Sequence, residues 1–404
     1  MDRIAQTYVK LVLALGQHDP LYVDAYYGPP EWRSTAELRR QPLEAILEDA
    51  KATRAALNSR EPRDQDPILR LRWRFLGKQL EALIARVEML RGKPRSFNEE
   101  SVALYDVVDA GRSESYYEAI IAQLKSLLPK SSSLSGALDQ LRSRFIIPKD
   151  KLDAVFRTAI DAARERTRWF IELPLDEDFQ LEFVSGQVWG AYNWYKGNSH
   201  SLIQINTDHP ISVDRVLGLA CHEGYPGHHV YNALLEQQLV RARGWIEFSI
   251  YALYSPQSLI AEGTAEYGVE LNFPAQERRS FERELLLPLA GLDPNGYEEY
   301  EQITALVDQL NYSSNDAARR YLDGKTTRQA TIDWLERFSL STAERAEQRL
   351  SFIEQHRSYV VTYNVGKQLV KEFVEAQGNT PADRWRVFEQ LLSVPMTPSD
   401  LKDY

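Results

Sequence analysis

Three of the chain's seven histidines fall within eight positions in CHEGYPGHHVYN, residues 221–232, beside a glutamate. Imidazoles and carboxylates at such close spacing are the raw material of a metal site that activates water. In the usual helical version two histidines four apart share one face and bind one ion, while the glutamate after the first acts on a water. Here His222 and His228 are six apart. On a regular helix they would sit roughly 120° apart around the axis and about 9 Å along it, too far to hold one ion. Pro226 removes an amide donor and clashes with the preceding turn, while Gly224 and Gly227 permit backbone angles that other residues resist. A bulged or unwound turn between Tyr225 and Gly227 is therefore expected, rotating His228 back towards His222. A longer bulge would deliver His229 in its place.

Two histidines leave a metal under-coordinated, so a third ligand is required. Forty residues downstream stands AEGTAEYGVE, in which Glu262 and Glu266 are four apart and share a face if the segment is helical. One carboxylate can bind the ion while the other accepts the far N–H of a ligand imidazole. Glu262 is the expected ligand and Glu266 the orienting group, with the reverse assignment also open. Taken alone, a glutamate pair four apart is usually a solvated face. The weight lies in the joint pattern of His-Glu, a Pro-Gly break, His-His and Glu-x-x-x-Glu. The neighbouring Cys221 is the only cysteine, which excludes an internal disulfide framework and fits a reducing compartment. It reads as a small buried apolar side chain rather than a nucleophile.

The elements that must carry these residues are mostly helical. Leu76, Leu80, Leu83, Val87 and Leu90 keep a 4-3-4-3 spacing, which predicts a helix ending near Gly92. Leu152, Val155, Phe156 and Ile160 predict another, opened by Pro148. The alternating Arg70, Arg72 and Arg74 read as a solvated face. Indeed the first 170 residues read as helices throughout, with Pro29-Pro30 and the cluster Ser131–Ser135 as local linkers. Near Phe179 the period changes to two, with Leu181 and Phe183 alternating with polar residues. SLIQIN follows, and between them VWGAYNWYKGNSH closes on the turn signal Gly197-Asn198, which predicts a small antiparallel sheet. Helices resume at Val213 and continue through Ile303–Leu310, Thr331–Phe338 and Trp385–Leu392, with loops near Pro256 and from Gly291 to Gly296. This divides the chain into an N-terminal helical region, residues 1–175, and a metal-site region, residues 176–404, within one continuous two-lobed unit. At 404 residues, 43% hydrophobic and 26% charged, there is material for a large core. A net charge of -10 argues against nucleic-acid binding. The run Leu11–Leu15 is too short to span a bilayer and lacks a cleavage pattern, so no membrane and a cytoplasmic location are expected.

HEGYPGHH followed by EGTAEY resembles the bacterial DUF885 family, whose members carry His-Glu-x-x-Pro-Gly-His and a later Glu-Gly-x-Ala-x-Tyr segment, and which is similar to helical gluzincin metallopeptidases. GKTTRQATIDWL and YVVTYNVGKQL, residues 359–369, resemble later segments of that family, and LYVDAYYGPPEW, residues 21–32, resembles one of its branches. The resemblance implies a mainly α, two-lobed zincin-like fold around a deep cleft, with the small sheet beside the metal-site helix. By position it implies one Zn2+ per chain on His222, His228 and Glu262, Glu223 as general base, and Tyr363 as transition-state donor, with Tyr359 second. Two departures stand out. Many relatives have Asp-Thr-Gly-Leu-His where this chain reads SSNDAARRYLDG, and a tryptophan where it has Thr264.

The expected activity is hydrolysis of short peptides. Trp189, Tyr192 and Trp194 would line pockets along an edge strand that pairs with the substrate backbone. Arg319, Arg320 or Arg357 is a candidate partner for a terminal carboxylate, as in a carboxypeptidase or dipeptidase. The alternatives are a metallohydrolase of a non-peptide amide or ester, and a binding protein that keeps the fold without turnover. Oligomeric state is not legible, and the donor set also suits manganese, cobalt or nickel.

Overall fold

The computed structural model describes residues 1–62, 66–129, 133–187 and 189–402. The elements that matter for the site run, in chain order, α1 (Asp2–Leu15), β1 (Val23–Tyr26), α2 (Pro67–Leu90), α3 (Leu152–Arg168), β2 (Asp178–Val184), β3 (Ala191–Gly197) and β4 (His200–Asn206). Then come α4 (Val213–Leu219), α5 (His228–Leu235), β5 (Ile250–Ala252), α6 (Pro256–Asn272), α7 (Ser313–Leu322), α8 (Ala343–His356), α9 (Val361–Gln377) and α10 (Pro381–Ser393), with other helices between them. The fold is helical and two-lobed, as the periodicities predict. In α2 the side chains of Leu76, Leu80, Leu83 and Val87 are buried on one face, and the helix stops before Gly92, whose φ of +86° suits glycine. Asp66 caps its start by accepting the Ile68 amide at 3.1 Å, with Pro67 in the first turn. Among the described residues no helix is long and apolar enough to cross a membrane.

Two large apolar cores fill the molecule, beside a smaller cluster around Tyr117, Leu124, Leu138 and Phe338. One core gathers Val155, Phe156, Ile203, Val216, Leu234, Phe373 and Phe388 from α3, β4, α4, α5, α9 and α10. The other gathers Tyr8, Val12, Leu80, Leu83, Leu350 and Val360 from α1, α2, α8 and the turn before α9. Helix α6 belongs to both, giving Leu259 to the second and Ile260 and Ala261 to the first. Its carboxylates therefore lie at the seam. Helix α9 crosses α6 so closely that a Cβ on Gly263 would come within 2.5 Å of the Gly366 carbonyl oxygen. Backbones at that distance leave no room for any side chain at either position.

The three-stranded sheet has the order β2-β4-β3. β3 and β4 form the expected antiparallel hairpin, turning through Gly197, Asn198 and Ser199, all with positive φ. β2 pairs with β4 in parallel, so the sheet is mixed rather than wholly antiparallel. Val184 lies beside Asn206 and Ala191 beside Ile205, so β2 ends at the end of the sheet where β3 begins, which makes β2 antiparallel to β3 and parallel to β4. A second, two-stranded sheet pairs β1 with β5 antiparallel. It corrects the all-helical reading of the first 170 residues: β1 is four residues long, too short for a period, and its partner lies more than 220 residues downstream.

Other expectations are corrected locally. Pro30 opens a helix, Pro30–Arg39, and is no linker; Pro256 likewise opens α6 rather than marking a loop. Ser133 caps the helix Leu134–Ser143, while Ser131 and Ser132 lie outside the described residues. Arg70 is exposed, but Arg72 is only 3% exposed and binds the fully buried Glu247 through Nε at 2.6 Å and Nη2 at 3.1 Å. Nη1 reaches Asp2 at 2.7 Å. An arginine with two carboxylates has no desolvation deficit, which is how it enters an apparently surface-like pattern. Removing it leaves Glu247 charged and unpaired. Arg72→Ala is expected to cost about 3 kcal/mol or more, against roughly 0.5 kcal/mol or less for Arg70→Ala, in urea unfolding. Equal losses would show the pair to be dispensable.

Candidate metal centre

The break in the histidine helix starts earlier than the sequence suggests. The turn after α4 widens from Ala220 onward: the Tyr225 amide reaches back five residues to the Ala220 carbonyl (3.2 Å), and the Gly227 amide six to that of Cys221 (2.9 Å). The Tyr225–Pro226 peptide is cis. A Cβ on Gly227 would stand 1.9 Å from the His222 carbonyl oxygen and 2.5 Å from that of Cys221, so only glycine can pass there. Two side-chain amides hold the widened turn from opposite sides. Asn193 of β3 donates to the Glu223 carbonyl (2.7 Å) and Asn272 of α6 to that of Tyr225 (3.0 Å).

The consequence is convergence. His222 and His228 rings sit 4.7 Å apart between centroids and nearly perpendicular, at 88°. His222 Nε2 lies 3.3 Å and His228 Nε2 3.7 Å from the same atom, Oε2 of Glu262. One ligand atom from each of the three residues falls within 4.8 Å of the others. Around a tetrahedral ion with bonds of about 2.0–2.1 Å, ligand atoms stand roughly 3.4 Å apart. The other Glu262 oxygen accepts from Tyr359 (2.8 Å), whereas Oε2 is buried and has no hydrogen-bond partner. His222 Nδ1 faces Glu266 Oε1 at 3.4 Å. A proton on Nδ1 leaves the Nε2 lone pair aimed at the point where Oε2 and His228 Nε2 also converge. Three acceptors meeting at one point are stable only around a positive charge, and an orphaned, buried carboxylate oxygen is what a bound cation would satisfy. These residues fit a divalent metal.

The electrostatics agree. Burial opposes charge on His222, yet Glu262, Glu266 and Glu223 outweigh it and hold the imidazole's pKa well above its ordinary value. Burial likewise opposes the charge of Glu262, but the two histidines hold its carboxyl far below the usual range. In effect a proton stands in for the cation. Glu223, 5% exposed, is different: burial pushes its pKa up, with Glu262 adding to the rise and the two histidines opposing it. It makes no ion pair among the described residues and follows His222 directly in the chain, within electrostatic reach of both imidazoles.

The remaining sequence candidates divide clearly. His229 is turned away: Nδ1 meets Ser201 Oγ (2.8 Å) and Nε2 meets Glu177 (3.0 Å), so both ring nitrogens are engaged in structural bonds. Glu177 also accepts from Tyr225 and Arg164, which anchors the start of α5 to the sheet. Tyr359 is spent on Glu262. Tyr363 makes no hydrogen bond among the described residues; burial raises its phenol pKa well above the ordinary value, and so do Glu262, Glu266 and Glu223, which are within its electrostatic reach. The three arginines suggested for a substrate carboxylate are already paired within the protein: Arg319 with Asp316 and Asp109, Arg320 with Glu114, Arg357 with Glu100. The Cys221 thiol is buried and pushed up to about 12, which keeps it protonated and inert. Trp189, just before the edge strand β3, and Tyr192 and Trp194 within it form a ladder at 5.6 and 4.5 Å between centroids.

Sequence reasoning missed Asp24 of β1. Its carboxylate accepts from Tyr192 and is pushed up to about 7 by burial, opposed by His228 and reinforced by Glu262 and Glu223. The one signal was an acid isolated among aromatics in LYVDAYYG.

Fold and site together define a two-lobed helical protein with a His-His-Glu group suited to one divalent cation. No protein-family model matches the chain, and no curated protein is found similar to it. Solved structures do share its fold. A candidate lipoprotein from Colwellia psychrerythraea superposes at a TM-score of 0.55 with 12% identity, over 92% of this chain and 71% of that one. Another, of unknown function, from Shewanella oneidensis gives 0.50 and 12%, over 93% and 79%. An M32 carboxypeptidase from Deinococcus radiodurans R1 gives 0.45 and 13%, over 99% and 92%.

Two tests follow from the geometry. Gly227→Ala forces its Cβ into the His222 carbonyl, so the variant is expected to lose metal binding measured by elemental analysis, whereas Gly218→Ala, with open space around it, retains it. For Glu177, burial works against the charge but His229, Tyr225 and Arg164 prevail and hold the pKa down to about 2, below the ordinary 4.5. The unfolded chain then binds more protons between those values, so this stabilisation is complete above about pH 4.5 and is lost as pH falls towards 2. Glu177→Gln should be less stable by about 3 kcal/mol at pH 6 and decline less steeply than wild type on acidification in urea titrations. Parallel declines would remove Glu177 as the cause.

Proposed function

We propose that this protein is a zinc-dependent metallopeptidase that hydrolyses short peptides. The observation that carries the reading is the meeting of His222, His228 and the unsatisfied Glu262 oxygen at one point, with the unpaired Glu223 beside it. The segments that resemble those of the DUF885 family point the same way. His222, His228 and Glu262 would hold the ion, and Glu266 and Tyr359 would orient two of those ligands. A zinc ion bound there supplies Lewis acidity towards a carbonyl and a water made acidic near neutral pH.

The chain's own groups do the rest. Glu223 takes the proton of the attacking water, and its raised pKa lets it return that proton to the leaving amine. Tyr363, with no partner to release, donates its O–H to the oxyanion as charge develops. The ladder of Trp189, Tyr192 and Trp194 runs up to and along β3, the strand at one edge of its sheet, where an extended peptide can add as a further strand. Retention of a buried, costly glutamate beside the ligands favours turnover over a binding protein, which gains nothing from a base there. A reducing, cytoplasmic setting belongs to this reading, on the single cysteine.

Protein purified without added metal is expected to carry about one zinc per chain by elemental analysis, lost in His222→Ala. Wild type should cleave members of a short-peptide panel. Glu223→Gln should keep the metal and lose at least about a thousandfold in kcat, and Tyr363→Phe should lose roughly 10²-fold or more with KM little changed. Metal-loaded wild type that cleaves acylated small esters or amides but no peptide would replace the peptidase with the broader hydrolase. Failure to bind metal even when zinc is supplied would sink both.

A further inference from the structure

Among the arginines of this chain, Arg349 of α8 stands apart. Arg72, Arg86 and Arg278 are also drawn into the interior, and each faces a carboxylate that holds its charge. Arg349 has no carboxylate within ion-pairing distance among the described residues. Its Nε–H is donated to Ser314 Oγ (2.6 Å), and its guanidinium packs 5.1 Å from the centre of the Phe352 ring. Burial pushes its pKa down, where the paired arginines are pushed up. A partly buried charge without a counter-charge is among the most costly features a fold can keep.

The bonds already made leave a defined capacity. With Nε held by Ser314, both terminal nitrogens lack hydrogen-bond partners among the described residues, a planar fork of the geometry that matches a carboxylate in two parallel bonds. Among the described residues no carboxylate stands against it. The nearby His356 is held neutral at pH 7, its pKa lowered to about 4 by burial and by Arg86 and Arg349. A row of rings leads from Arg349 towards the metal centre: Phe352 lies 4.5 Å from His356 and His356 5.9 Å from Tyr359 between centroids, and the Tyr363 phenol is within electrostatic reach of the guanidinium. That phenol is also within electrostatic reach of Glu262, Glu266 and Glu223 and touches the ring of Tyr359, 5.7 Å away between centroids, which itself binds Glu262. Tyr363 thus links the cluster of carboxylates to the unpaired cation. An anionic group is repelled by the first and attracted by the second, so the charge pattern favours a carboxylate-bearing substrate with its carboxylate at Arg349. Ser314, which aims Arg349, comes from SSNDAARRYLDG, the segment in which this chain departs from the family it resembles.

We infer that Arg349 is the group that binds the free carboxylate of the substrate, so that the site acts on amides whose leaving portion carries a terminal carboxylate, such as the C-terminal residue of a short peptide. This inference rests on the hydrolase reading for the reaction but not for the binding, and the two are separable. The Nη fork takes the carboxylate, the scissile carbonyl lies towards Tyr363 and the ligand cluster, and the N-terminal portion of the substrate extends along β3.

The test is calorimetric binding of an N-acetyl amino acid and of its C-terminal amide to metal-loaded wild type, Arg349→Gln and Arg349→Lys, with zinc content and unfolding temperature as controls on the fold. Wild type should bind the acid on the order of tenfold or more tighter than the amide. Arg349→Gln should abolish that difference while leaving amide binding unchanged, and Arg349→Lys should restore part of it. Equal binding of acid and amide by wild type overturns the inference. So does a preference that survives in Arg349→Gln, as it would if the metal alone held the acid. Loss of the difference in Arg349→Gln with no peptide cleaved by wild type would support the carboxylate site and overturn the peptidase reading; the converse result would do the reverse.

Discussion

The centre of this protein depends on how closely one stretch of backbone can pass another. His222 and His228 are separated by six residues, and a helix cannot bring such a pair to one point. The chain solves this by widening the turn at Ala220–Gly224 and laying Gly227 against the His222 carbonyl, at a separation that no side chain survives. Asn193 and Asn272 then satisfy carbonyls that the widened turn leaves without helical partners. The sheet and α6 are positioned as much by these amides as by apolar packing. The second close approach, Gly263 against Gly366, does the same work for the other half of the site, because it fixes the distance from Glu262 to Tyr363.

Around these two contacts lies a concentration of buried acid. Glu223, Glu262, Glu266 and Asp24 are gathered beside two imidazoles, and each feels the charge of others in the group. Such a group is repulsive unless positive charge is brought to it. Away from the centre the same fold is scrupulous about pairing: Glu247 has Arg72, Glu177 has Arg164, Glu100 has Arg357. The imbalance is therefore local. Acid is in excess at the histidines, and base is in excess at Arg349.

Much of this was legible in the sequence because the signals are short-range. The helical faces of α2 and α3 follow from spacing, the β3–β4 hairpin from Gly197-Asn198, and the broken helix from Pro226 flanked by glycines. The geometry of a helix and the coordination demands of a metal pointed to His222, to His228 or His229, and to Glu262 or Glu266. What was not legible depends on distant partners. β1 forms only because β5 lies beside it, Asp24 joins the centre only through that pairing, and Arg72 leaves the surface only because Glu247 awaits it. His229 could not be separated from His228 by spacing, since the choice turns on Glu177 and Ser201. The pairing of Arg319, Arg320 and Arg357 with Asp109, Glu114 and Glu100 was hidden for the same reason, because it is a property of the folded chain.

The two cores also set an order of events for the chain as it is made. The core that holds α1 is completed by Val360 and Val361, and the one that holds α3 by Leu401. Helix α6 is shared, and its partner α9 follows it by about ninety residues. A ribosome releases the histidine segment long before it releases α8, α9 and α10, so the nascent chain carries incomplete apolar surfaces from both lobes until those helices emerge. Large sequence separation between partners slows folding, because chain entropy is lost before contacts repay it. Protein quality control would therefore meet this chain as a whole rather than lobe by lobe, and the metal-binding group would be the last thing to take shape.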